Sequence, residues 1–370
     1  MRRFLAAGLA LAAALALVGC PKKPPLETAQ DRERAVDALL APYAGKAAPG
    51  LAIGVVANGD LVIARGAGLA DLETREPITP RTRFDVASAA KQFTAAAVLI
   101  LAHRGALSLD DDVRRYLPEL PEYPRTVTVR NLLQHTHGIP DYPDLMAAAG
   151  LSERADYSDA RMLDLIAHAA PGFPAGEQFQ YNDTGFYLAG LVVARVSGES
   201  LRRFADGAIF APLGMRDTFF RDDTSVAVER LATGYSQMPT GGFFQDVSLS
   251  HMVGDGGLVT TVEDLARWEA NLDRNRLEGD AALLAPMAEP TRLASGQVVP
   301  YGLGLELGTW RGLRTWGHTG AWLGNRCETL NFPDRRLAVV VLSNSSATDP
   351  PALARQLADL WLGDAATAAP

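Results

Sequence analysis

The residues of this chain best suited to chemistry are a serine and a lysine three positions apart, Ser88 and Lys91. Residues at this spacing lie on the same face of a helix, so the lysine nitrogen can reach the serine oxygen. A serine hydroxyl is a poor nucleophile until a neighbouring group removes its proton, and the start of a helix favours a developing anion. The pair therefore predicts covalent catalysis by an activated serine, although the spacing alone is also compatible with an ordinary helix start.

The segments around this pair predict how the serine is presented. Leu51–Val56 and Leu61–Arg65 are rich in β-forming residues and flank Asn58-Gly59, a pattern typical of a β-hairpin. An alanine- and leucine-rich run from Lys91 to His103 predicts a helix directly after Ser88. A hairpin, a polar loop, a serine and a helix together form an arrangement that exposes a nucleophile.

Two other short motifs precede predicted helices or strands in the same way. Tyr181-Asn182-Asp183 precedes a second apolar helix, and His318-Thr319-Gly320 precedes two predicted strands at residues 325–332 and 337–342. In this order, the three motifs resemble those of the serine β-lactamase-like hydrolases, which carry Ser-x-x-Lys, then Tyr-x-Asn, then Lys-Thr-Gly or His-Thr-Gly. That group holds class C β-lactamases, D-alanyl-D-alanine carboxypeptidases, D-aminopeptidases and related esterases. Further similar stretches lie at 132–138, 209–218, 256–265 and 301–304.

The resemblance implies an α/β (α+β) fold of the β-lactamase/transpeptidase type. Its antiparallel sheet would be flanked by N- and C-terminal helices, with an all-α region inserted at about residues 88–284. Helical patterns from Asp31 and at residues 351–362 agree with the flanking helices. The 370 residues, 48% of them hydrophobic, suffice for one large domain or two small ones. We place the hydrolase domain at residues 31–364 and a tail at 365–370.

The same resemblance assigns roles to the motif residues. Ser88 would attack a carbonyl carbon and form an acyl-enzyme, with the backbone N–H groups of Ser88 and Ala321 as oxyanion donors. Gly320 would permit close approach of backbone to ligand. Lys91 and Tyr181 would share the proton transfer, and the sequence leaves open which of them accepts the serine proton.

Two positions depart from the family pattern. Asp183 stands where the family usually has an asparagine that donates to a substrate amide carbonyl, and an ionised aspartate only accepts. It would also hold Lys91 as the ammonium. His318, ahead of Thr319, replaces the lysine of most β-lactamases, and a mostly neutral histidine attracts a substrate carboxylate less strongly. Together these changes shift the expected activity from β-lactamase toward esterase or peptidase.

The first residues carry the features of a bacterial lipoprotein signal. Met1-Arg2-Arg3 precedes a short apolar run, and Leu17-Val18-Gly19-Cys20 resembles the site at which the cysteine is lipidated. We therefore expect a signal peptide at residues 1–19, a tether at 20–30 and a lipid anchor on Cys20. An ordinary secretory signal with an incidental cysteine is the alternative. The expected location is the bacterial cell envelope, anchored to a membrane and facing the periplasm or exterior.

The composition and the remaining histidines indicate which ligands and partners to expect. The net charge of −8 indicates no basic surface for nucleic acid, and we expect a small-molecule or peptidoglycan-derived substrate and no cofactor. His135-Thr136-His137 lacks the following residues of a zinc-hydrolase pattern, so we predict a structural turn and no metal. His103, His168 and His251 are interpreted as structural residues in apolar surroundings. Trp322, Phe243 and Phe244 either line the cleft or are simply covered.

The sequence thus predicts a serine hydrolase that acts through an acyl-enzyme on an ester or D-amino-acid peptide or amide. One alternative is a penicillin-binding or sensing lipoprotein of the same fold with little turnover, and a β-lactamase is another. The oligomeric state is left open.

Overall fold

The centre of the fold is an antiparallel sheet built from the two ends of the chain. The structure, a computed structural model, describes residues 28–279 and 281–363, so the expected signal peptide, Cys20, most of the tether and the tail lie outside the described residues. In that part of the chain the sheet has six strands in the order β10-β11-β12-β13-β1-β2. Their bounds are β1 Leu51–Ala57, β2 Asp60–Ala67, β10 Glu306–Trp310, β11 Leu313–Trp322, β12 Asn325–Phe332 and β13 Leu337–Ser343.

Alternating apolar residues give this sheet two buried faces. Along β1, Leu51, Ile53 and Val55 pack in one apolar cluster, whereas Ala52 packs in the cluster on the opposite side. Successive side chains of a strand point to opposite faces, so a nearly continuous apolar strand indicates cover on both sides. The outer cluster includes the terminal helices α1 (Ala29–Leu40) and α10 (Pro350–Leu362). The predicted flanking helices are therefore confirmed.

The inserted region covers the other face and connects β2 to β10. It is mainly helical, as predicted, but it begins before residue 88, ends after residue 284 and also contains short strands. Its helices are α2 Lys91–His103, α3 Val129–Leu133, α4 Tyr142–Ala148, α5 Asp159–Ala167, α6 Asp183–Ser197, α7 Leu201–Ala205, α8 Ala211–Leu213 and α9 Val262–Asp273. Its strands are β3 Phe84–Asp85, β4 Phe219–Phe220, β5 Tyr235–Gln237, β6 Phe243–Gln245, β7 Leu258–Thr260, β8 Thr291–Arg292 and β9 Val298–Val299.

The nucleophile candidate lies in a tight turn that leads into α2. Residues Ala87–Ala90 form a 3₁₀ turn, and α2 follows from Lys91 to His103 as the sequence predicted. Ala87 has a φ of 46°, a left-handed conformation that is strained for a residue with a Cβ. All residues of α2 from Lys91 to Leu101 are buried, so the turn is attached to a helix fixed in the core.

Within the described residues, no helix combines the length and apolar character needed to cross a membrane.

Candidate active site

Lys91 forms the polar centre of the site. Its ammonium donates to Ser88 Oγ at 3.0 Å, to Asp183 Oδ1 at 2.6 Å and to the backbone carbonyl of Asp255 at 2.9 Å. These three bonds use all three N–H donors of a lysine ammonium. The Lys91 side chain is fully buried, so the charge is held in place by these partners.

The electrostatics keep Lys91 protonated. Burial alone would lower the pKa of Lys91, because it disfavours the charged form. The Asp183 carboxylate, supported by Tyr181 and Asp255, outweighs burial and raises the pKa of Lys91 above its ordinary value. The expectation that an aspartate at position 183 holds this lysine as the ammonium agrees with this geometry.

Tyr181 lies beside Lys91 and Ser88. Tyr181 as a whole residue is 40% exposed, and its ring centroid lies 5.1 Å from the Lys91 nitrogen. The same Lys91 nitrogen donates to Ser88 Oγ, which places Tyr181 next to the serine. Burial raises the pKa of Tyr181, and the Lys91 ammonium offsets only part of that increase. The phenol is therefore neutral near pH 7, and its oxygen remains able to accept a proton from Ser88.

A small cavity of about 70 Å³ opens beside Ser88. Ala321 of β11 lines it, so the two expected oxyanion donors lie on one cavity. Trp322 also lines it, whereas Phe243 and Phe244 are not among its lining residues, and Phe244 is 43% exposed. The polar and charged groups in the wall include Asp85, Tyr142, Asp183, Arg221, Ser248, Ser250 and Asp255.

Gly320 has a different role from the one expected. A Cβ at this position would lie 2.3 Å from the carbonyl oxygen of Val86 and 2.4 Å from the sulfur of Cys327. The space that a side chain would need is therefore occupied by the protein, and Gly320 does not line the cavity. Glycine here allows β11 to pack directly against the segment that leads to Ser88.

His318 is turned into the protein. Its exposure is 1%, and its Nδ1 lies 2.5 Å from the Thr319 carbonyl, which can only accept. Nδ1 therefore carries the proton, and Nε2 accepts from the Tyr301 hydroxyl at 3.0 Å. Burial lowers the pKa of His318, which keeps it neutral. Both nitrogens are used internally, so the expected weak attraction for a substrate carboxylate has no free group to act through. The Thr319 hydroxyl donates to Glu306 at 2.9 Å.

Sequence reasoning missed three further residues of the site, Asp141, Tyr142 and Asp255. Asp255 is 7% exposed, and its Oδ2 accepts from the Tyr142 hydroxyl at 2.8 Å. Burial, followed by the charge of Asp183, raises the pKa of Asp255. Asp141 Oδ1 accepts the backbone N–H of Asp183 at 2.7 Å, and burial raises the pKa of Asp141 to about 6. The available signals were weak: Asp255 immediately precedes the family-like stretch at 256–265, and Asp141 follows the His-x-His segment.

The histidines of the His-x-His segment are both buried. His135 Nδ1 accepts the backbone N–H of Asn182 at 3.2 Å, and His137 Nδ1 accepts that of Ile139 at 3.0 Å. These bonds agree with the structural interpretation. The apolar surroundings expected for His168 and His251 are wrong, because the His168 side chain is 79% exposed near Asp164 and His251 pairs with Asp156.

Comparison with known proteins gives relatives over most of the chain. The chain is 30% identical over 313 residues to a D-aminopeptidase of Brucella canis, an alignment that covers 84% of this chain and 59% of that protein. It thus spans less than two thirds of the length of the curated relatives that it matches. The octameric penicillin-binding protein homologue from Pyrococcus abyssi superimposes with a TM-score of 0.75 and 28% identity, covering 90% of this chain and 77% of that one.

Another solved structure shares the fold alone. The D-amino acid amidase from Ochrobactrum anthropi SV3 superimposes with a TM-score of 0.75 at 23% identity, covering 90% of this chain and 98% of that one. The family described as Beta-lactamase matches residues 33–360, which include the Ser88 turn, Tyr181 and the β11 strand. The chain therefore belongs to the β-lactamase family, with its β-lactamase/transpeptidase-like fold.

Proposed function

We propose that this protein is a serine hydrolase that forms an acyl-enzyme on Ser88. The observation that carries the proposal is the hydrogen bond of 3.0 Å from the buried Lys91 ammonium to Ser88 Oγ, at a cavity that Ala321 also lines. A cation beside the serine oxygen favours the negative charge that develops there during attack on a carbonyl carbon. A purely structural serine would not need a buried lysine charge.

The same geometry supports Tyr181 as the group that moves the proton. Lys91 already donates all three of its hydrogens and carries a raised pKa, so it has no lone pair with which to act as a base. The Tyr181 oxygen can accept the Ser88 proton while its own proton passes to the departing nitrogen or oxygen. No free phenolate is needed, which fits the raised pKa of Tyr181.

The second half-reaction reverses these roles. A water molecule attacks the carbonyl carbon of the acyl group on Ser88, one of its protons passes through Tyr181 to Ser88 Oγ, and the ester bond breaks to release the acid. The backbone N–H groups of Ser88 and Ala321 would stabilise the oxyanion in both steps, each at a typical ~3 kcal/mol. Lys91 remains an ammonium throughout.

The substrate class that we propose is an ester or a D-amino-acid peptide or amide. The name of the D-aminopeptidase relatives supports the D-amino-acid part of this class. Asp183 favours the ester part of this class, because its carboxylate is unsuited to donating to an amide carbonyl.

The test is a substrate panel run on wild type, Ser88→Ala and Ser250→Ala. The panel contains a short-chain aryl ester, D- and L-alanine amides, a D-Ala-D-Ala peptide and a chromogenic cephalosporin. Ser250 is the matched control, because it lines the same cavity without a lysine neighbour. We expect turnover of an ester or D-amide, a fluorophosphonate adduct on Ser88, and activity lost in Ser88→Ala only.

Two outcomes would lead to different conclusions. An adduct elsewhere, or full activity in Ser88→Ala, would overturn the proposal. A burst of product without turnover on every substrate would instead favour a penicillin-binding or sensing protein of the same fold.

We also propose that the protein is attached to a membrane of the cell envelope through a lipid on Cys20. The support is the order Leu17-Val18-Gly19-Cys20 followed by a proline-rich segment. Cys20→Ser should release the protein from the membrane fraction, whereas Cys327→Ser, which changes the buried cysteine of β12, should leave it there. Unchanged fractionation of Cys20→Ser without a lipid mass would mean an ordinary secreted protein.

A further inference from the structure

His135 lies in the family-like stretch at 132–138 and has no part in the mechanism above. Its side chain is fully buried, and its ring centroid lies 4.4 Å from that of Tyr181 at an interplanar angle of 36°. The backbone at His135 has a φ of 55°, a left-handed conformation that is uncommon for a residue with a side chain. A strained backbone that places a ring against the proposed proton carrier calls for an explanation beyond core packing.

His135 is hydrogen-bonded to the residues on both sides of Tyr181. The backbone N–H of Gln180 donates to the His135 carbonyl at 3.0 Å, and the backbone N–H of Asn182 donates to His135 Nδ1 at 3.2 Å. The residues immediately before and after Tyr181 are therefore both bound to this one residue. Tyr181 itself precedes α6 in a segment without regular structure, so neither a helix nor a strand fixes its position.

The protonation of His135 suits this contact. Because a backbone N–H donates to Nδ1, the ring proton must be on Nε2. Burial, supported by the charge of Lys91, lowers the pKa of His135, so the imidazole is neutral and Nδ1 keeps its lone pair. Within the described residues Nε2 has no hydrogen-bond partner, so the polar function of this buried ring is the single bond beside Tyr181.

We propose that His135 is a positioning residue that holds the Tyr181 hydroxyl within reach of Ser88 and Lys91. The two hydrogen bonds from backbone N–H groups fix the chain on either side of Tyr181. The contact between the two rings fixes the orientation of the phenol ring. This inference rests on the proposed function, because it assumes that Tyr181 carries the proton. A displacement of about 1 Å in a catalytic group can reduce the rate by up to ~100-fold.

Two variants separate the two contacts. His135→Asn keeps an acceptor near the place of Nδ1 and tolerates a left-handed backbone, but it removes the ring. His135→Phe keeps a ring and removes the acceptor. We expect kcat to fall about 10-fold in His135→Asn and about 100-fold in His135→Phe, with KM changed by less than about twofold, because Tyr181 acts in the transition state rather than in binding.

The matched control is His137→Asn. His137 lies in the same motif, is 2% exposed and also accepts a backbone N–H through Nδ1, but that bond goes to Ile139 and not beside Tyr181. Loss of this buried ring should lower the melting temperature about as much as His135→Asn does. Its kcat, measured well below its melting temperature, should stay within about threefold of wild type.

Tyr181→Phe and the rate of Ser88 labelling by a fluorophosphonate complete the experiment. If Tyr181→Phe retains activity, the proposed role of Tyr181 fails. If Tyr181→Phe is inactive while folded His135→Asn and His135→Phe keep wild-type kcat and labelling rates, the inference about His135 alone is overturned. Equal losses in His137→Asn and His135→Asn would likewise reduce His135 to a structural residue. If His135→Phe does not fold, His135→Asn against His137→Asn decides.

Discussion

Two ion pairs of equal length lie in contrasting surroundings. Lys91 and Asp183 next to Ser88, and Arg314 and Asp334 on the protein surface, each have a nitrogen–oxygen distance of 2.6 Å. The Lys91 side chain is fully buried, whereas that of Arg314 is 69% exposed. The lesson is that burial rather than contact distance decides what an ion pair does. Solvent screens the charges of the Arg314–Asp334 pair. The Lys91–Asp183 pair holds a buried ammonium that water does not solvate.

The carboxyl groups of the two regions show the same contrast. The hydrogen bond from Arg314 lowers the pKa of Asp334, as is usual for a paired surface carboxylate. In the buried region, burial raises the pKa of Asp141 and Asp255 despite the nearby ammonium. Around the Asp183 carboxyl group that binds Lys91, the site therefore holds two further carboxyl groups whose pKa values burial raises.

The largest expected loss of turnover and stability comes from breaking the buried Lys91–Asp183 ion pair. Lys91→Met removes the charge beside Ser88, so we expect turnover of the best substrate to fall by at least ~100-fold. It also leaves Asp183 without its partner, which typically destabilises a protein by about 3–5 kcal/mol. The measurements are steady-state kinetics and urea unfolding.

Arg314→Met is the control for that prediction. The Arg314–Asp334 pair should contribute no more than about 1 kcal/mol, and its loss should leave turnover unchanged. If Lys91→Met retained turnover within a few-fold of wild type, Lys91 would have no place in the mechanism.

A smaller effect should follow from keeping the lysine and changing its partner. Asp183→Asn restores a donor that can reach an amide carbonyl, and one such hydrogen bond is typically worth about 1–3 kcal/mol. We expect the ratio of cephalosporin to aryl-ester turnover to rise at least about tenfold. Asp85→Asn is the control, because Asp85 lines the same cavity without contacting Lys91. A ratio that moves equally in both variants would mean that cavity charge, rather than position 183, controls selectivity.

The contrast in carboxyl groups also predicts how stability varies with pH. Burial raises the pKa of Asp141 to about 6, of Glu269 to about 7 and of Glu328 to about 8. The folded protein therefore binds protons that unfolded carboxyl groups, with pKa values near 4, have already released. This part of the stability is present at low pH and is lost as pH rises from about 5 to about 8.

The melting temperature should accordingly rise by several degrees as the pH falls from about 8 to about 5. Below about pH 4 it should fall again, since surface carboxylates with lowered pKa values, such as Asp334, then lose their charge. Glu328→Gln should flatten the upper part of this profile, whereas Asp334→Asn should not. A melting temperature that increases from pH 5 to pH 8 would contradict the assignment of buried neutral carboxyl groups.

The smallest expected effect concerns backbone strain in the two regions. Arg311 in the exposed β10–β11 turn has a φ of 49°, and Ala87 beside Ser88 has a φ of 46°. Ala87→Gly removes the Cβ penalty and should raise the free energy of unfolding by up to about 1 kcal/mol. Ala89→Gly, two residues later in the 3₁₀ turn at ordinary φ, should instead lower it by about 0.5–1 kcal/mol or more. Equal signs for the two variants in urea unfolding would show that Ala87 is not strained.

Local patterns predicted the elements that carry their own signal. The hairpin around Asn58-Gly59 and the helix from Lys91 to His103 depend on neighbouring residues, so both were found at nearly the observed bounds. The strands β3, β4 and β7 pair only with one another and are two or three residues long. No periodicity exists over so few residues, so these strands leave no local signal in the sequence.

The residues of the site also divide into those that a local sequence pattern indicates and those that it does not. Ser88 and Lys91 are neighbours on one turn, and the resemblance indicated Tyr181 and residues 318–321 by their motifs. Asp255 reaches the site from a loop and Tyr142 from the start of α4, and their contribution depends on a carbonyl and a hydroxyl whose directions are set by packing. The inward orientation of His318 depends likewise on Tyr301. Contacts of this kind leave no local pattern in the sequence.

The crowding at Gly320 has a consequence for how the enzyme meets its substrate. Because β11 lies in van der Waals contact with the Val86 carbonyl and the Cys327 sulfur, the strand that presents Ala321 cannot move closer to the Ser88 turn. The proposed oxyanion donors, the N–H groups of Ser88 and Ala321, would then be held at a fixed separation before substrate binds, as preorganised stabilisation requires. A methyl group added at residue 320 would have to displace one of these atoms, so we expect Gly320→Ala to disturb the packing between β11 and the segment that leads to Ser88.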